Sequence, residues 1–359
     1  MRIVHVISRY NRGGTAAWLN VLIREQRAAG HEVALLSGYV QSNENEDPGF
    51  TKLNGIHIEN LGKKISILSD LKAFMEIRKL IKELSPDVVN THTSKAGLLG
   101  RIAAFSLGKS RPAIVHTFHG HILYGYYNPV VTFVFKTLEK ILARITDYFI
   151  ISGNRVKDEL QQEKILGKTP FELVRPGIDF TNSTVKKNNE KIQIGWLGRL
   201  TKIKRPDRVI ELAMNFQNID FLIGGEGELE NELTKTSPLN VKILGWVNPE
   251  EFWPLCDIAL LTSDNEAQPI ALVEAAGFGL PLVAEDVGSV ADVLEDGVSG
   301  FLTHNRNERI EAISKLVKDP ELRMEMGQKA SEIVRRKFGV MQFLDGHIRA
   351  YERAIASNK

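Results

Sequence analysis

SDNEAQPIALVEAAGFGLP, residues Ser263–Pro281, decides how the chain is read. It follows an apolar run, IALLTS, that has the character of a buried strand. The stretch itself reads as a short polar turn and then a helix opened by Pro269. Proline suits a first helical position, because its missing N–H would be unpaired there and its φ is preset. The helix runs out at Gly277 and Gly279, and Pro281 forbids its continuation. Glu266 therefore stands just ahead of a helix N-terminus, with Glu274 about a turn inside it. Backbone N–H groups without helical partners lie between the two acids, and with the helix dipole they make an anion site. One acid near the anion and one further along suit a ligand with hydroxyls at both ends and phosphate in the middle. A sugar nucleotide has that form.

Outward from this stretch, short apolar runs alternate with helical patterns. RIVHVIS, HEVALLSG, DVVNTH, AIVHTFHG, DYFIIS and FELVRPG read as strands in the first half. After a polar gap, TNSTVKKNNEK, the pattern restarts with IQIGWLG, DFLIGGEG, VKILGWV, DIALLTS and PLVAED. Continuous apolar strands alternating with helices indicate parallel sheets covered on both faces. The expected fold class is therefore α/β, with two doubly wound domains over residues 1–183 and 184–338. The segment 339–359 reads as a helix with no strand to serve, so a return to the first domain is open to it. No internal repeat or low-complexity tract is visible.

A length of 359 residues fits two domains, and 25% charged with 43% hydrophobic residues fits a soluble globular protein. The lone cysteine, Cys256, excludes an intramolecular disulfide framework and suits a reducing cytoplasm. In WPLCDIALL it reads as a core thiol. The start, MRIVHVIS, lacks the features of a signal peptide, and no stretch approaches the roughly 20 apolar residues that span a bilayer. The net charge of +2 hides an asymmetry: residues 1–180 hold 24 Lys and Arg against 17 Asp and Glu. A basic first half suits an anionic partner, a phospholipid surface or a diphosphate, as well as a merely uneven solvated surface.

Ligands of doubly wound sheets sit beyond the carboxyl ends of the strands, so the loops there carry the argument. RYNRGGTAAW places Gly13 and Gly14 at a helix start, either as a tight turn or as a close approach of backbone to ligand. It is neither the spaced-glycine dinucleotide fingerprint nor a P-loop. VHTFHGHIL brings His116, His119 and His121 together without the partners of a zinc site. His119 is the best placed for a neutral contact to a ligand hydroxyl, and the other two read as structural. GWLGRLTKIKRPD supplies Arg199 and Lys204, a planar fork and a point charge able to neutralise a diphosphate. GGEGE, with Gly225, allows close backbone passage or a plain turn. LGWVNPEEF sets Trp246 and Val247 beside a proline-initiated helix, as a wall for a nucleobase or as buried core.

GRLTKIKRPD, GGEGE, LGWV and NEAQPIALVEAAGFGLPLVAEDVGSVADVLEDGVSGFL occur in an order that resembles the retaining glycosyltransferases of family 4. PGID at 176–179 and THTSKAGLLGRIAA extend the resemblance over nearly the whole chain. It implies the GT-B fold, two Rossmann-like domains with parallel sheets facing a central cleft. It further implies that Glu274 binds the nucleotide ribose, Glu266 the donor sugar, and Arg199 and Lys204 the diphosphate. Backbone amides over Ala267, Gln268, Pro269, Ile270 and Ala271 would add to that grip, apart from the proline, which has none. Gly225 and Val247 would line the nucleotide side. His119 would touch the sugar from the first domain, and Gly13 and Gly14 would lie near the diphosphate and acceptor. One departure stands out: the family usually has glycine after the first glutamate, where this chain has Ala267. A turn needing φ > 0 would strain alanine, which leaves the pose of Glu266 open.

Breaking an anomeric bond puts negative charge on a departing diphosphate, and preorganised positive charge stabilises it. Arg199, Lys204 and a helix N-terminus meet that need, so no metal and no cofactor beyond the nucleotide-sugar co-substrate is expected. UDP is the nucleotide implied by family grounds. KKISILSDLKAFMEIRKLIKELS at 63–85 and YGYYNPVVTFVFKTLEKILAR after HGHIL are apolar on one side and edged with cations. With the basic first half they suit peripheral contact with an anionic membrane, at the inner face of the cytoplasmic membrane. THTSKAGLLGRIAA and HTFHGH resemble bacterial enzymes that extend lipid-linked sugars for surface polysaccharides, which implies a lipid-linked or saccharide acceptor. A nucleotide-sugar epimerase and a non-catalytic partner subunit share the architecture and stay open. Basic residues are not interleaved with exposed aromatics in any recognised module, which argues against nucleic acid.

Overall fold

A computed structural model describes residues 1–42, 44–62, 66–120, 128–180 and 191–358. Residues 63–65 at the start of the basic helix pattern, residues 121–127 with His121 and the first tyrosines after it, and nearly all of the polar gap at 181–191 lie outside the described residues. The chain forms two compact units, one of Met1–Gly177 with Val340–Lys359 and one of Ile178–Gly339.

The first unit holds β1 (Arg2–Ile7), β2 (Glu32–Ser37), β3 (Ile56–His57), β4 (Val88–His92), β5 (Ala113–Phe118), β6 (Tyr148–Ile151) and β7 (Phe171–Leu173). They form one sheet in the order β3-β2-β1-β4-β5-β6-β7, with every pairing parallel. The second unit holds β8 (Gln193–Leu197), β9 (Asp220–Gly224), β10 (Val241–Ile243), β11 (Ile258–Leu261), β12 (Leu282–Glu285) and β13 (Gly300–Thr303). Their order is β10-β9-β8-β11-β12-β13, again all parallel. Both are doubly wound sheets. Chain direction across the sheet reverses between β1 and β4 in one and between β8 and β11 in the other, and a crevice opens at such a switch point.

β3 and β13 are absent from the pattern read in the sequence. β3 spans two residues, too few for any period. β13 begins at Gly300, whose φ is 151° and whose missing Cβ would lie 1.9 Å from the Leu282 carbonyl oxygen. Glycine is needed there for close strand approach, and it disguises the strand as a turn.

Each sheet buries both faces. In the first unit, Ile3, Ile7, Val88 and Val115 pack under the helix Gly14–Ala28 and the helix Val340–Asn358, through Trp18, Leu22, Phe343 and Tyr351. The last helix thus covers the first sheet, although the second unit precedes it in sequence. Val4, Val6, Val89 and Ile114 fill the opposite face with Ala73, Ile77 and Leu99. Fully burying one side chain the size of Phe343 contributes about 1.5–3 kcal/mol. Cys256 is a buried thiol in the second core, outside any disulfide, and donates to Phe252 O at 3.4 Å beside Trp253.

Candidate functional site

The carboxyl ends of β8 and β11 flank the switch point of the second sheet, and the loops leaving them carry Arg199, Lys204, Glu266 and, one helix on, Glu274. Helix Ile270–Gly277 starts one residue later than the sequence suggested: Pro269 is its cap, and its carbonyl accepts from the Leu272 and Val273 amides. At the other end Phe278 caps, and Gly279 takes the left-handed conformation, φ 75°. The Leu280 amide then reaches the Ala275 carbonyl and the Gly279 amide that of Ala276, the paired bonds of a Schellman ending. Pro281 follows.

Glu266 and Lys204 meet. Lys204 Nζ donates to Glu266 Oε1 at 2.6 Å, and Ser263 Oγ donates to the same oxygen at 2.7 Å. The glutamate is buried, while the lysine side chain keeps 24% of its surface. Backbone contacts lock the two loops to each other. The Asp264 amide donates to Ile203 O at 2.8 Å, and Thr262 Oγ1 donates to the carbonyls of Lys204 and Arg205. Beneath Glu266, the Ser289 amide donates to its carbonyl at 3.0 Å. Gly288, with φ 56°, would drive a Cβ to 1.5 Å from that same oxygen. Ala267 is not among the described residues with positive φ, so alanine sits after Glu266 without that strain.

Glu274 lies inside the helix, and burial raises its carboxyl pKa to about 7. The Trp253 indole offsets part of that rise. Arg199 is exposed and has no side-chain hydrogen bond or ion pair among the described residues. Gln268 donates to Asp292 at 3.3 Å, while its Oε1 is buried without a partner. Gly225, expected beside the ligand, spends its bareness on the protein itself. Its Cβ would fall 1.8 Å from Gly198 O, and its amide donates to Gly245 O at 2.6 Å. Val247 packs against Gly224, and Trp246 is 49% exposed rather than core.

Several charged neighbours escaped the sequence reading. Arg208 pairs with Asp264 at 2.7 Å and with Glu285 at 3.3 Å, and the buried Arg309 closes on Glu285 as well. Arg205, in a left-handed conformation, pairs with Asp207 at 2.7 Å. Ser263, Arg208, Gly288 and Ser289 were missed because each looks like ordinary loop or helix surface. Only Ser263 carried a usable signal, as a polar residue just past β11, whereas Arg208 lies in the helix Asp207–Ala213 and Gly288 and Ser289 follow β12.

The other predicted residues, Gly13, Gly14 and His119, belong to the first unit. Gly13 caps helix Gly14–Ala28 with φ 152°, outside the reach of most side chains, and both glycines are exposed. His119, just past β5, is partly exposed, and Trp18 meets its ring edge-on at 4.8 Å. Burial pushes its pKa down to about 3. His92 Nδ1 and His119 Nε2 are 2.8 Å apart. His116 is buried and bonds Thr91 Oγ1, the structural role expected of it. Thr93, beside His92, holds φ 65° and ψ 158°, a strained state for threonine, pinned by Ser8 Oγ at 2.7 Å. No group of three or more His, Cys, Asp or Glu among the described residues has the arrangement of a metal site.

Two family models match the chain: "Glycosyltransferase Family 4" over residues 12–182 and "Glycosyl transferases group 1" over residues 178–333. The UDP-Gal:alpha-D-GlcNAc-diphosphoundecaprenol alpha-1,3-galactosyltransferase of Escherichia coli is 30% identical over 270 residues, covering 68% of this chain and 69% of that protein. The capsular polysaccharide biosynthesis glycosyltransferase CapM of Staphylococcus aureus is 25% identical, over 79% of this chain and 80% of that one. Among solved structures, Anabaena Alr3699/HepE in complex with UDP-glucose superposes with a TM-score of 0.81, at 19% identity, over 98% of this chain and 99% of that chain.

Proposed function

The chain belongs to the family 4 glycosyltransferases of GT-B fold, and from that premise we propose that it transfers a hexosyl or N-acetylhexosaminyl group from a UDP-sugar, with retention, to a lipid-linked or saccharide acceptor of bacterial surface polysaccharide synthesis. The observation that carries the donor half is the β8–β11 switch point, where Lys204 is held on Glu266 at 2.6 Å and the same loop after β8 carries Arg199, exposed and without a side-chain partner among the described residues. An anion arriving there meets two cations and the N-terminus of helix Ile270–Gly277. Glu274, one turn further on, accepts from ribose hydroxyls once it is ionised.

In this reading the diphosphate leaves as its charge is taken up by Lys204 and Arg199. The acceptor hydroxyl attacks from the face of departure, its proton passing to the leaving phosphate. Glu266 orients Lys204 and contacts the sugar. The positive charge comes from side chains, so turnover is expected to survive a chelator. The acceptor half is supported by the relatives named above, whose names specify a diphosphoundecaprenol-linked sugar and capsular polysaccharide.

Calorimetric titration with UDP, GDP and ADP, then UDP-sugars with and without a lipid-diphosphate sugar, tests the proposal. Expected are UDP preference, product only with acceptor, and an anomeric configuration by NMR equal to the donor's. Inversion, or sugar conversion without acceptor, would overturn it.

We assign peripheral membrane contact to the first unit. No helix among the described residues is long and apolar enough to cross a membrane. Helix Ile67–Leu84 nonetheless exposes Ile67 (85%) and Leu68 (75%), and helix Pro129–Ala143 exposes Phe133 (70%), each beside lysines. Apolar side chains fringed by cations suit an anionic bilayer surface at the inner face of the cytoplasmic membrane. Flotation with anionic liposomes at low and high salt decides this, and absence from the floated fraction in both removes the assignment.

A further inference from the structure

A buried file of imidazoles crosses the first sheet at right angles to its strands. His5 on β1 is level with Asn90 on β4, and His92 at the end of β4 is level with Thr117 on β5, two residues before His119. These side chains share one sheet face, the face beneath helices Gly14–Ala28 and Val340–Asn358. Nitrogen meets nitrogen along the file. His5 Nδ1 and His92 Nε2 are 3.0 Å apart, His92 Nδ1 and His119 Nε2 2.8 Å, and His5 Nε2 ends on Gln26 Oε1 at 2.9 Å. His5 and His92 are wholly buried, and burial keeps both neutral: the pKa of His5 is pushed down to about 4, and that of His92 lies well below the ordinary value.

A neutral imidazole has one donor and one acceptor nitrogen, so a hydrogen-bonded file of them carries a tautomer from one end to the other. Here the far end is anchored. Thr117 Oγ1 donates to Asn90 Oδ1 at 2.9 Å, which turns Asn90 Nδ2 toward Tyr351 Oη at 2.8 Å. Gln26 Nε2 reaches the same phenol oxygen at 3.4 Å, leaving Gln26 Oε1 to accept from His5. His5 must then donate through Nε2 and accept at Nδ1, His92 must do the same, and the polarity arrives at His119.

We propose that Gln26, His5 and His92 are positioning residues that fix His119 as its Nε2–H tautomer and present its Nδ1 as a hydrogen-bond acceptor. Nδ1 has no hydrogen-bond partner among the described residues, and His119 is the partly exposed member of the file. An acceptor nitrogen selects a ligand hydroxyl, which can donate, over a carboxylate or other acceptor-only group. The selectivity rests on the reading of His119 as a ligand-facing residue; the tautomer does not.

Long-range proton–nitrogen spectra of histidine-labelled protein distinguish a bare from a protonated ring nitrogen, with no need for turnover. The expected result is bare Nδ1 and protonated Nε2 on His5, His92 and His119 alike. Gln26→Leu, at the far end of the file, should convert His119 to a mixture of tautomers, as should His92→Phe. His92→Gln, whose amide can donate to His5 and accept from His119, should restore the single tautomer. In kinetics, Gln26→Leu should raise the donor KM roughly two- to tenfold, the range of one neutral hydrogen bond, with His92→Gln near wild type. Protonated Nδ1 in the wild type, as a reversed Gln26 amide would impose, overturns the proposal. A His119 tautomer indifferent to both Gln26→Leu and His92→Phe overturns it too. A fixed tautomer in a protein that transfers no sugar would uphold the file and sink the functional reading instead.

Discussion

On the face of the first sheet beneath helices Gly14–Ala28 and Val340–Asn358 the polar groups are neutral, imidazoles bonded to imidazoles, amides and a phenol. That unit's ion pairs, Arg9 on Glu44 and Lys95 on Asp70 among them, stand outside the file. At the strand ends of the second unit the polar groups are ions, with Lys204 on Glu266, Arg208 on Asp264 and Arg309 on Glu285. The two sheets share a topology and present their loops at the same kind of switch point. The difference lies in what replaces apolar residues near the carboxyl edge. Neutral files can recognise hydroxyls without paying to desolvate charge, whereas a departing diphosphate needs fixed cations. Sugar chemistry needs both kinds of surface.

The largest effect expected from breaking this contrast is at Lys204. Lys204→Ala should lower kcat by roughly two to three orders of magnitude, the scale of losing one preorganised stabiliser of developing charge. It should also destabilise the second unit by about 2–3 kcal/mol, because the buried Glu266 loses its cation. Adding Glu266→Gln to that variant should recover stability in denaturant melts without recovering turnover. A variant in which the KM moves and kcat does not would show that Lys204 acts on the ground state.

Next in size is Glu274, which sharpens the contrast through pH. Its folded pKa, about 7, stands above the ordinary 4.5. The group therefore favours the folded state fully below 4.5, and that contribution is lost as pH rises through 7. The buried histidines run the other way. Their folded pKa values lie below the ordinary 6.5, so their contribution is present above 6.5 and lost as pH falls below it. Hydrogen exchange of the two units between pH 5 and 8 should show opposite trends, roughly over this interval. Glu274→Gln should flatten the trend in the second unit and stabilise it at pH 8. The same change should weaken UDP binding about ten- to a hundredfold by calorimetry, since a charge-assisted contact contributes roughly 1.5–3 kcal/mol. Wild-type affinity should rise with pH through about 7. PH-independent affinity would remove Glu274 from the nucleotide site.

Much of the second site was legible because its signals are local. Proline before an apolar helix, glycine after it, and two acids bracketing its start each follow from short-range rules. The Lys204–Glu266 contact was less so: the two were assigned to diphosphate and sugar separately, and their pairing depends on β8 lying beside β11. At Gly225 the local signal is ambiguous, since the bare backbone that would suit a ligand is also required by close approach to the carbonyl of Gly198. The histidine file was overlooked for want of register. His5, Asn90, His92 and Thr117 are polar positions at period two within apolar central strands, a pattern visible in RIVHVIS, DVVNTH and AIVHTFHG. That they face one another requires knowing which strands are adjacent. Tyr351, which anchors the file, lies on a helix that follows the whole second unit in sequence.

Arg199 gives the smallest effect and the cleanest separation of binding from folding. Lys204 cannot be removed without stranding a buried carboxylate, and Glu274 cannot be changed without altering the electrostatics of its helix. Arg199 is exposed and has no side-chain partner among the described residues, so Arg199→Ala should leave stability within about 0.5 kcal/mol of wild type. Its guanidinium lies within reach of solvent, where salt screens it, so its loss should weaken UDP binding by roughly two- to fivefold at low ionic strength and by less in 0.5 M salt. UMP, which lacks the second phosphate, should be affected less than UDP. If Arg199→Ala weakens UMP and UDP equally, the residue serves the nucleoside rather than the diphosphate. The ionic side of the comparison would then rest on Lys204 alone.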